Sequence, residues 1–169
     1  KGDIQRASEQ LTAYCDELEK IDENSYCDNP IVDSVLRTKL GVAKSDKIKV
    51  DTTIRIPKQM QLEHGDIGVL YGNLLDNAIE ACRKVEENRR FIRIENKFTE
   101  GKLLLIVENS KTGERNESLK TTKKDNYSHG RGIHSVRKVV EKYNGTVTFT
   151  DKGEIFEVSA MLYGIEAKE

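Results

Sequence analysis

Tryptophan is absent from this sequence, proline and methionine occur twice each, and phenylalanine and tyrosine are few and scattered. Without clustered aromatic platforms, binding of single-stranded nucleic acid by base stacking is poorly supported. The 28 basic and 29 acidic residues nearly cancel, so the 169-residue chain carries a formal net charge of −1. Nothing in that balance draws it globally to nucleic acid or to an anionic membrane. No apolar run approaches the ~20 residues that span a bilayer, and the first residues hold no secretory n-region or h-region. Three cysteines, Cys15, Cys27 and Cys82, are an odd number without paired short spacing. That argues against a disulfide framework and a zinc site, and a reducing cytoplasm is the default. What remains is one highly charged domain of ordinary size, with a short appended element. Lys1 opens in the middle of a helical pattern, so the chain is expected to be a piece of a longer protein, with any membrane segment upstream.

The most informative stretch that is present is YGNLLDNAIEACRK, residues 71–84, inside a helix expected over 66–87. Asparagine is a mediocre helix former, because its side chain competes for backbone hydrogen bonds. Here two of them, Asn73 and Asn77, stand one turn apart in the helix interior. At ~100° per residue, Asn73, Asn77, Glu80 and Lys84 share a stripe within roughly 60° of arc. Ile67, Leu70, Leu74, Ala78, Ala81 and Val85 form an apolar face beside it. A polar stripe that borders the core either holds a polar ligand against the interior or is simply a solvated face.

Elsewhere the pattern alternates between helix and strand. Residues 3–21 place Ile4, Ala7, Leu11, Tyr14, Leu18 and Ile21 at steps of three and four, an amphipathic helix set apart by the breaker-rich DENSYCDNP. An isolated helix of that size is marginal in water, so it needs either the same helix of a second chain or its own domain as partner. Pro30 fits the first turn of the next helix, with Asp28 or Asn29 as cap and Ile31, Val35, Leu36, Leu40 and Val42 or Ala43 as its apolar side. Ile48, Val50, Thr52, Ile54 and Ile56 alternate as a half-buried strand that Pro57 ends. Residues 90–98 and 102–110 read as strands joined by a turn at Thr99–Gly101, and the last 19 residues before Ile165 as a hairpin around Asp151-Lys152-Gly153. Between them, residues 110–128 lose all periodicity and carry Lys111, Arg115, Lys120, Lys123 and Lys124. A loop so long in a compact domain is read as functional, either solvated or closing over a triphosphate.

Two further features carry chemistry. In HGRG, residues 129–132, Gly130 and Gly132 open a helix with a buried stripe of Ile133, Val136, Val140 and Tyr143 that Asn144-Gly145 closes. Glycines there let backbone N–H groups approach phosphate oxygens at the favourable end of the helix dipole, although any helix start can use them. Asn109 ends the strand LLLIVEN, where its amide can accept from an adenine amino group and donate to a ring nitrogen, or merely terminate the strand.

Together these stretches resemble the GHKL superfamily of gyrase, heat-shock chaperone, histidine kinase and mismatch-repair ATPases. Among these, the likeness is closest to sensor histidine kinases of the peptide-pheromone (quorum-sensing, Agr-type) receptor group. NLLDNAIEA (73–81) resembles the family's N box, HGRGI (129–133) its second glycine box, and NPIVDSVLRTKLGVA (29–43) the opening helix of that group. The resemblance implies an α+β fold: a two-layer α/β sandwich, its mixed sheet covered by helices on one face, preceded by one N-terminal helix. Residues 1–22 would be the second helix of a dimerising phosphotransfer hairpin, 23–28 a linker, and 29–169 the catalytic ATP-binding domain.

It implies, further, that Asn77 holds Mg²⁺ through its amide oxygen, together with phosphates and water. Asn73 stands where hydrolytic relatives have a glutamate; an amide cannot act as that base, so ATP is held for transfer rather than hydrolysis. The implied catalytic residues are Asn73 and Asn77, and the implied ATP contacts are those two with Asn109, Gly113, His129, Gly130, Arg131 and Gly132. The implied partners are a response regulator and a second copy of the chain, in the cytoplasmic part of a bacterial membrane receptor. The usual first glycine box, Asp-x-Gly-x-Gly, is reduced here to Asn109 and a lone Gly113. His64, read as lying in the turn before the N box, His129 and His134 all lie off the N-terminal helix, so the phosphoacceptor histidine is expected further upstream. Two other readings stay open: a serine kinase of the same fold, of an anti-sigma type, that phosphorylates an anti-anti-sigma partner, and a non-catalytic nucleotide-sensing or interaction module.

Overall fold

The computed structural model describes residues 25–113 and 131–168. The helix expected over 1–22, the start of the linker, most of the polar loop, His129 and Gly130 lie outside the described residues. Asn29, rather than Asp28, caps helix α1 (Pro30–Ser45): its side chain accepts from the Val32 N–H at 3.1 Å and donates to the Lys58 carbonyl at 3.1 Å. Val32, Leu36, Leu40 and Ala43 of α1 are buried, while Val42 is exposed and Ile31 and Val35 are only half-buried. The buried stripe is therefore rotated by one residue from the one the pattern suggests.

Strand β1 (Lys49–Arg55) and the two-residue β2 (Gln59–Met60) lead to helix α2 (His64–Arg83). His64 is the first residue of this helix and not part of the turn before it, and the helix ends four residues earlier than expected. Arg90 covers that end. Its guanidinium donates to the carbonyls of Val85 (2.9 Å) and Asp46 (2.9 Å), groups that the ends of α2 and α1 leave without helical partners.

After a 3₁₀ turn (Glu87–Arg89) come β3 (Phe91–Thr99), β4 (Lys102–Ser110), helix α3 (Arg131–Lys142), β5 (Thr146–Asp151), β6 (Ile155–Leu162) and the short β7 (Ala167–Lys168). The five long strands form one mixed sheet in the order β1-β3-β4-β6-β5. Only β1 and β3 run parallel, with α2 as the crossover between them. β2 pairs with β7, a contact too short for any periodicity to signal.

Alternation along the strands separates two faces. Ile92, Ile94, Leu103, Leu105, Val107, Val158, Ala160 and Leu162 are buried on the face packed by helices, whereas Arg93, Glu95, Lys97 and Lys102 are exposed on the other. An ion ladder crosses that open face: Asp51–Arg93 (3.5 Å), Arg93–Glu108 (3.0 Å), Glu108–Lys152 (3.1 Å) and Lys152–Glu157 (2.7 Å). The helices thus form one layer and the sheet the other, the two-layer α+β sandwich expected.

α2 lies at the centre of the helical layer and packs against α1, α3 and the sheet. Tyr71, Leu75, Ile79 and Cys82 are therefore buried along with the expected Ile67, Leu70, Leu74 and Ala78. The Cys82 thiol is more than a small hydrophobe, since it also bonds the Phe91 carbonyl at 3.2 Å and contacts the Ser110 hydroxyl at 3.3 Å.

One polar pair sits inside this core: the Asn96 amide donates to the Tyr71 hydroxyl at 2.7 Å, and Asn96 Oδ1 has no partner among the described residues. A buried polar group left alone costs more than an apolar pair of the same shape. Tyr71→Phe alone is expected to lower stability by about 1–3 kcal/mol, while Tyr71→Phe with Asn96→Leu restores or exceeds the parent value. Urea unfolding of the three proteins checks this; a double variant weaker than the single one would contradict it.

Candidate functional site

Helix α2 presents the polar stripe, and the second glycine box meets it. The Asn73 amide donates to the Val69 carbonyl one turn back at 2.7 Å, which turns its oxygen outward. A Cβ on Gly132 would stand 2.8 Å from that oxygen. Glycine at 132 is thus what lets the first turn of α3 lie against α2, bringing its N-terminal end, with its partial positive charge, beside Asn73 and Asn77.

The opposite end of α3 is clamped. Lys142 pairs with Asp66 (2.7 Å) and Glu63 (2.8 Å), the Tyr143 hydroxyl donates to Asp66 at 2.8 Å, and the Glu63 N–H donates to that hydroxyl at 3.1 Å. The start of α2 is fastened to the end of α3, so the two helices run antiparallel and the start of α3 is aimed at the asparagines. Burial acts to raise the Asp66 carboxyl, but the hydrogen bonds from Lys142 and Tyr143 outweigh it and hold Asp66 below the usual carboxylate range. Asp33, bonded by the Tyr26 N–H and Arg37, and Glu108, bonded by Lys152, are lowered against burial in the same way.

A lowered folded-state value stabilises above the unfolded one, about pH 4, and the benefit is lost as pH falls through the folded value. Stability is therefore expected to be flat near neutrality and to fall below about pH 4. Denaturant melts across pH should show Asp66→Asn with a shallower acid slope than the parent; equal slopes would remove Asp66 from this account.

Beside Asn77, a cavity of about 170 Å³ opens between α2 and the inner face of β4, β5 and β6. α2 contributes Asn77, Glu80 and Lys84, all exposed; Val107, Phe149 and Phe156 supply apolar walls. Asn109 is buried at its edge, with one amide N–H donated to the Ser110 carbonyl at 2.9 Å. The remaining amide atoms keep the capacity to accept and donate. Lys111 and Asp151 line the same cavity as a largely buried ion pair at 3.3 Å, and the Gly153 N–H donates to Asp151 at 2.9 Å. A wider depression of about 530 Å³ beside Ile56 and Phe98 shares no residue with this stripe, so size does not select it.

Of the residues expected at the site, Asn77 and Asn109 line one cavity, and Asn73 and Gly132 touch just beside it. Gly113 does not line the cavity; among the described residues a Cβ there would meet only the Glu154 side chain, at an ordinary 3.6 Å, so nothing described there requires glycine. Arg131 is the first residue of α3, and His129 and Gly130 lie outside the described residues. His64 and His134 are exposed on helices α2 and α3.

Sequence reasoning missed Asp151, Phe149 and Phe156, which it read only as hairpin. The available signal was parity: Val147, Phe149 and Asp151 point to one face, so an aspartate ends an inward-facing row. Among the described residues no cluster of three or more His, Cys, Asp or Glu could enclose a metal by itself. Asn77, a neutral oxygen donor on an open stripe, fits Mg²⁺ only as Mg²⁺ is usually bound with nucleotides, by one or two protein oxygens plus phosphates and water.

Residues 62–163, more than half of the chain, match the family model described as the GHKL domain. No curated protein matches the sequence. Among solved structures, the chain is similar to the catalytic domain of the histidine kinase ThkA, with TM-score 0.65 and 17% identity over 80% of this chain and 91% of that one. It is similar to the mycobacterial sensor histidine kinase MprB, with TM-score 0.60 and 15% identity over 79% and 93%. The histidine kinase domain of the Erythrobacter litoralis blue-light activated kinase gives 0.60 and 19% over 80% and 61%. At these identities the likeness is one of fold. Among the described residues no helix is long and apolar enough to cross a membrane.

Proposed function

The chain belongs to the GHKL domain family, and on that footing we propose that it is the ATP-binding catalytic domain of a sensor histidine kinase of the peptide-pheromone receptor kind. The observation that supports this best is the meeting of Asn73 and Gly132 beside Asn77, at the mouth of a cavity with a buried amide, Asn109, at its edge. In this reading the triphosphate lies along the Asn73–Asn77 turn, facing the N-terminal end of α3, whose dipole and backbone N–H groups neutralise charge. Asn77 would hold Mg²⁺, which when bound offsets the phosphate charge. The base enters the cavity, where Phe149, Phe156 and Val107 cover its faces and Asn109 meets its edge. His129, Gly130 and Arg131 would add contacts at the start of α3, and Gly113 at most a distant one.

Asn73 donates its amide to Val69 and cannot serve as a base for water. Water attack is therefore not promoted, and the γ-phosphoryl is kept for an acceptor. Transfer then rests on positioning and charge neutralisation, as phosphoryl transfer generally does. The acceptor would be a histidine on a helix upstream of residues 1–22, which would complete a dimerising hairpin, and the phosphoryl would pass on to a response regulator. The domain would work on the cytoplasmic side of the membrane.

The test has two parts. Titration calorimetry of Mg-ATP into this chain should give saturable, magnesium-dependent binding. The longer receptor incubated with ATP should then acquire an acid-labile, base-stable phosphate, as expected of phosphohistidine. Absence of binding at millimolar ATP, or an acid-stable phosphoserine, would reject the proposal.

A further inference from the structure

Glu80 is out of place by charge. It stands one turn beyond Asn77 on the exposed stripe of α2, about 4.5 Å further along the axis, and lines the cavity. Among the described residues no hydrogen bond or ion pair engages it, although Lys84 is one turn away. The neighbouring buried charges, Lys111 and Asp151, already neutralise each other. A bare carboxylate next to the path of a triphosphate is repulsive unless it meets donors.

Its place along the helix says which donors. The Asn73–Gly132 contact marks the end where phosphates meet the start of α3. Phe149, Phe156 and Asn109 mark the end suited to a base. Along α2, Glu80 follows Asn73 and Asn77 away from the Gly132 contact and lines the cavity itself, the order in which a sugar follows phosphates toward a base.

Resting on the nucleotide reading above, we infer that Glu80 reads the ribose. Its carboxylate accepts hydrogen bonds from the vicinal 2′- and 3′-hydroxyls, and so the site selects ribonucleotides over 2′-deoxyribonucleotides. Hydroxyl-to-carboxylate bonds are charge-assisted and short, and a carboxylate on ribose hydroxyls is a recurrent solution in nucleotide sites of other folds. Because Glu80 is exposed, its discrimination falls far below the 10⁴-fold or more of a fully buried hydroxyl site; roughly ten-fold is expected.

The experiment is calorimetry of Mg-ATP and Mg-2′-deoxy-ATP into the parent, Glu80→Gln and Glu80→Ala, with thermal melts confirming that each variant folds. The parent should bind the deoxynucleotide roughly ten-fold more weakly. Glu80→Ala should bring the two affinities together, chiefly by weakening ATP, with Glu80→Gln between. Equal binding of both nucleotides by the parent overturns the inference while leaving the nucleotide site standing. Parallel loss of both nucleotides on substitution also overturns it. Failure of the parent to bind ATP at all removes the nucleotide reading, and Glu80's role with it.

Discussion

Alanine at position 145 is expected to destabilise the domain by about 3 kcal/mol or more, a large part of the whole stability of a domain this size. Asn144 leaves α3 in the left-handed conformation with φ 51, and the Gly145 N–H turns back to the Val140 carbonyl at 2.8 Å. A Cβ on Gly145 would fall inside contact distance of the Met161 carbonyl oxygen on β6 and stand 2.9 Å from both the Val140 carbonyl oxygen and a Val140 methyl. Two of these three obstacles are backbone and cannot swing aside. Urea unfolding should therefore show a lower midpoint with an unchanged slope. Gly41, in α1, is the matched control, since among the described residues a methyl group there would meet nothing within 4 Å. Gly41→Ala should raise stability by about 0.5–1 kcal/mol. Equal effects at the two positions would mean that the corner between α3 and β5 yields more easily than its packing implies.

If the proposed nucleotide site is right, loss of the amide at position 77 is expected to weaken magnesium-dependent ATP binding by roughly a hundred-fold, to below detection in ordinary calorimetry. Asn77 is exposed and lines the cavity, so Asn77→Ala should melt within about 0.5 kcal/mol of the parent. That separation of binding from stability is what assigns the residue to the ligand. Asn73→Ala should behave differently, because Asn73 bonds Val69 and faces Gly132, and its removal loosens the seat of α3 as well. Undiminished binding by Asn77→Ala would move the metal to another oxygen and require a new account of the stripe.

Much of the site was legible because helical periodicity is local. The stripe Asn73, Asn77, Glu80 and Lys84 follows from 100° per residue, and three of the four line one cavity. The strands read from alternation were placed within about a residue, since a half-buried strand shows its parity in sequence. Gly113, expected only from its place in the first glycine box, could not be placed in this way. A motif position carries no steric information until the neighbouring strand is known, and Glu154 leaves room there for a side chain. The ion pair of Lys111 and Asp151 joins residues 40 apart in the chain through the β4–β6–β5 arrangement, a pairing that no local pattern encodes.

Among the described residues, the sequence by itself determined the three helices and the five long strands, where Asp28-Asn29 and Asn144-Gly145 bound their helices, and which polar residues share a face of α2. These depend on spacing, capping and turn chemistry within a few residues. Tertiary structure alone decided that α2 is buried on three sides, that the Asp66–Lys142–Tyr143 clamp aims α3 at Asn73, and that Phe149, Phe156 and Asp151 complete the cavity. Each of these joins segments distant in the chain, and such contacts are set by how the layers pack, which periodicity within one segment does not contain.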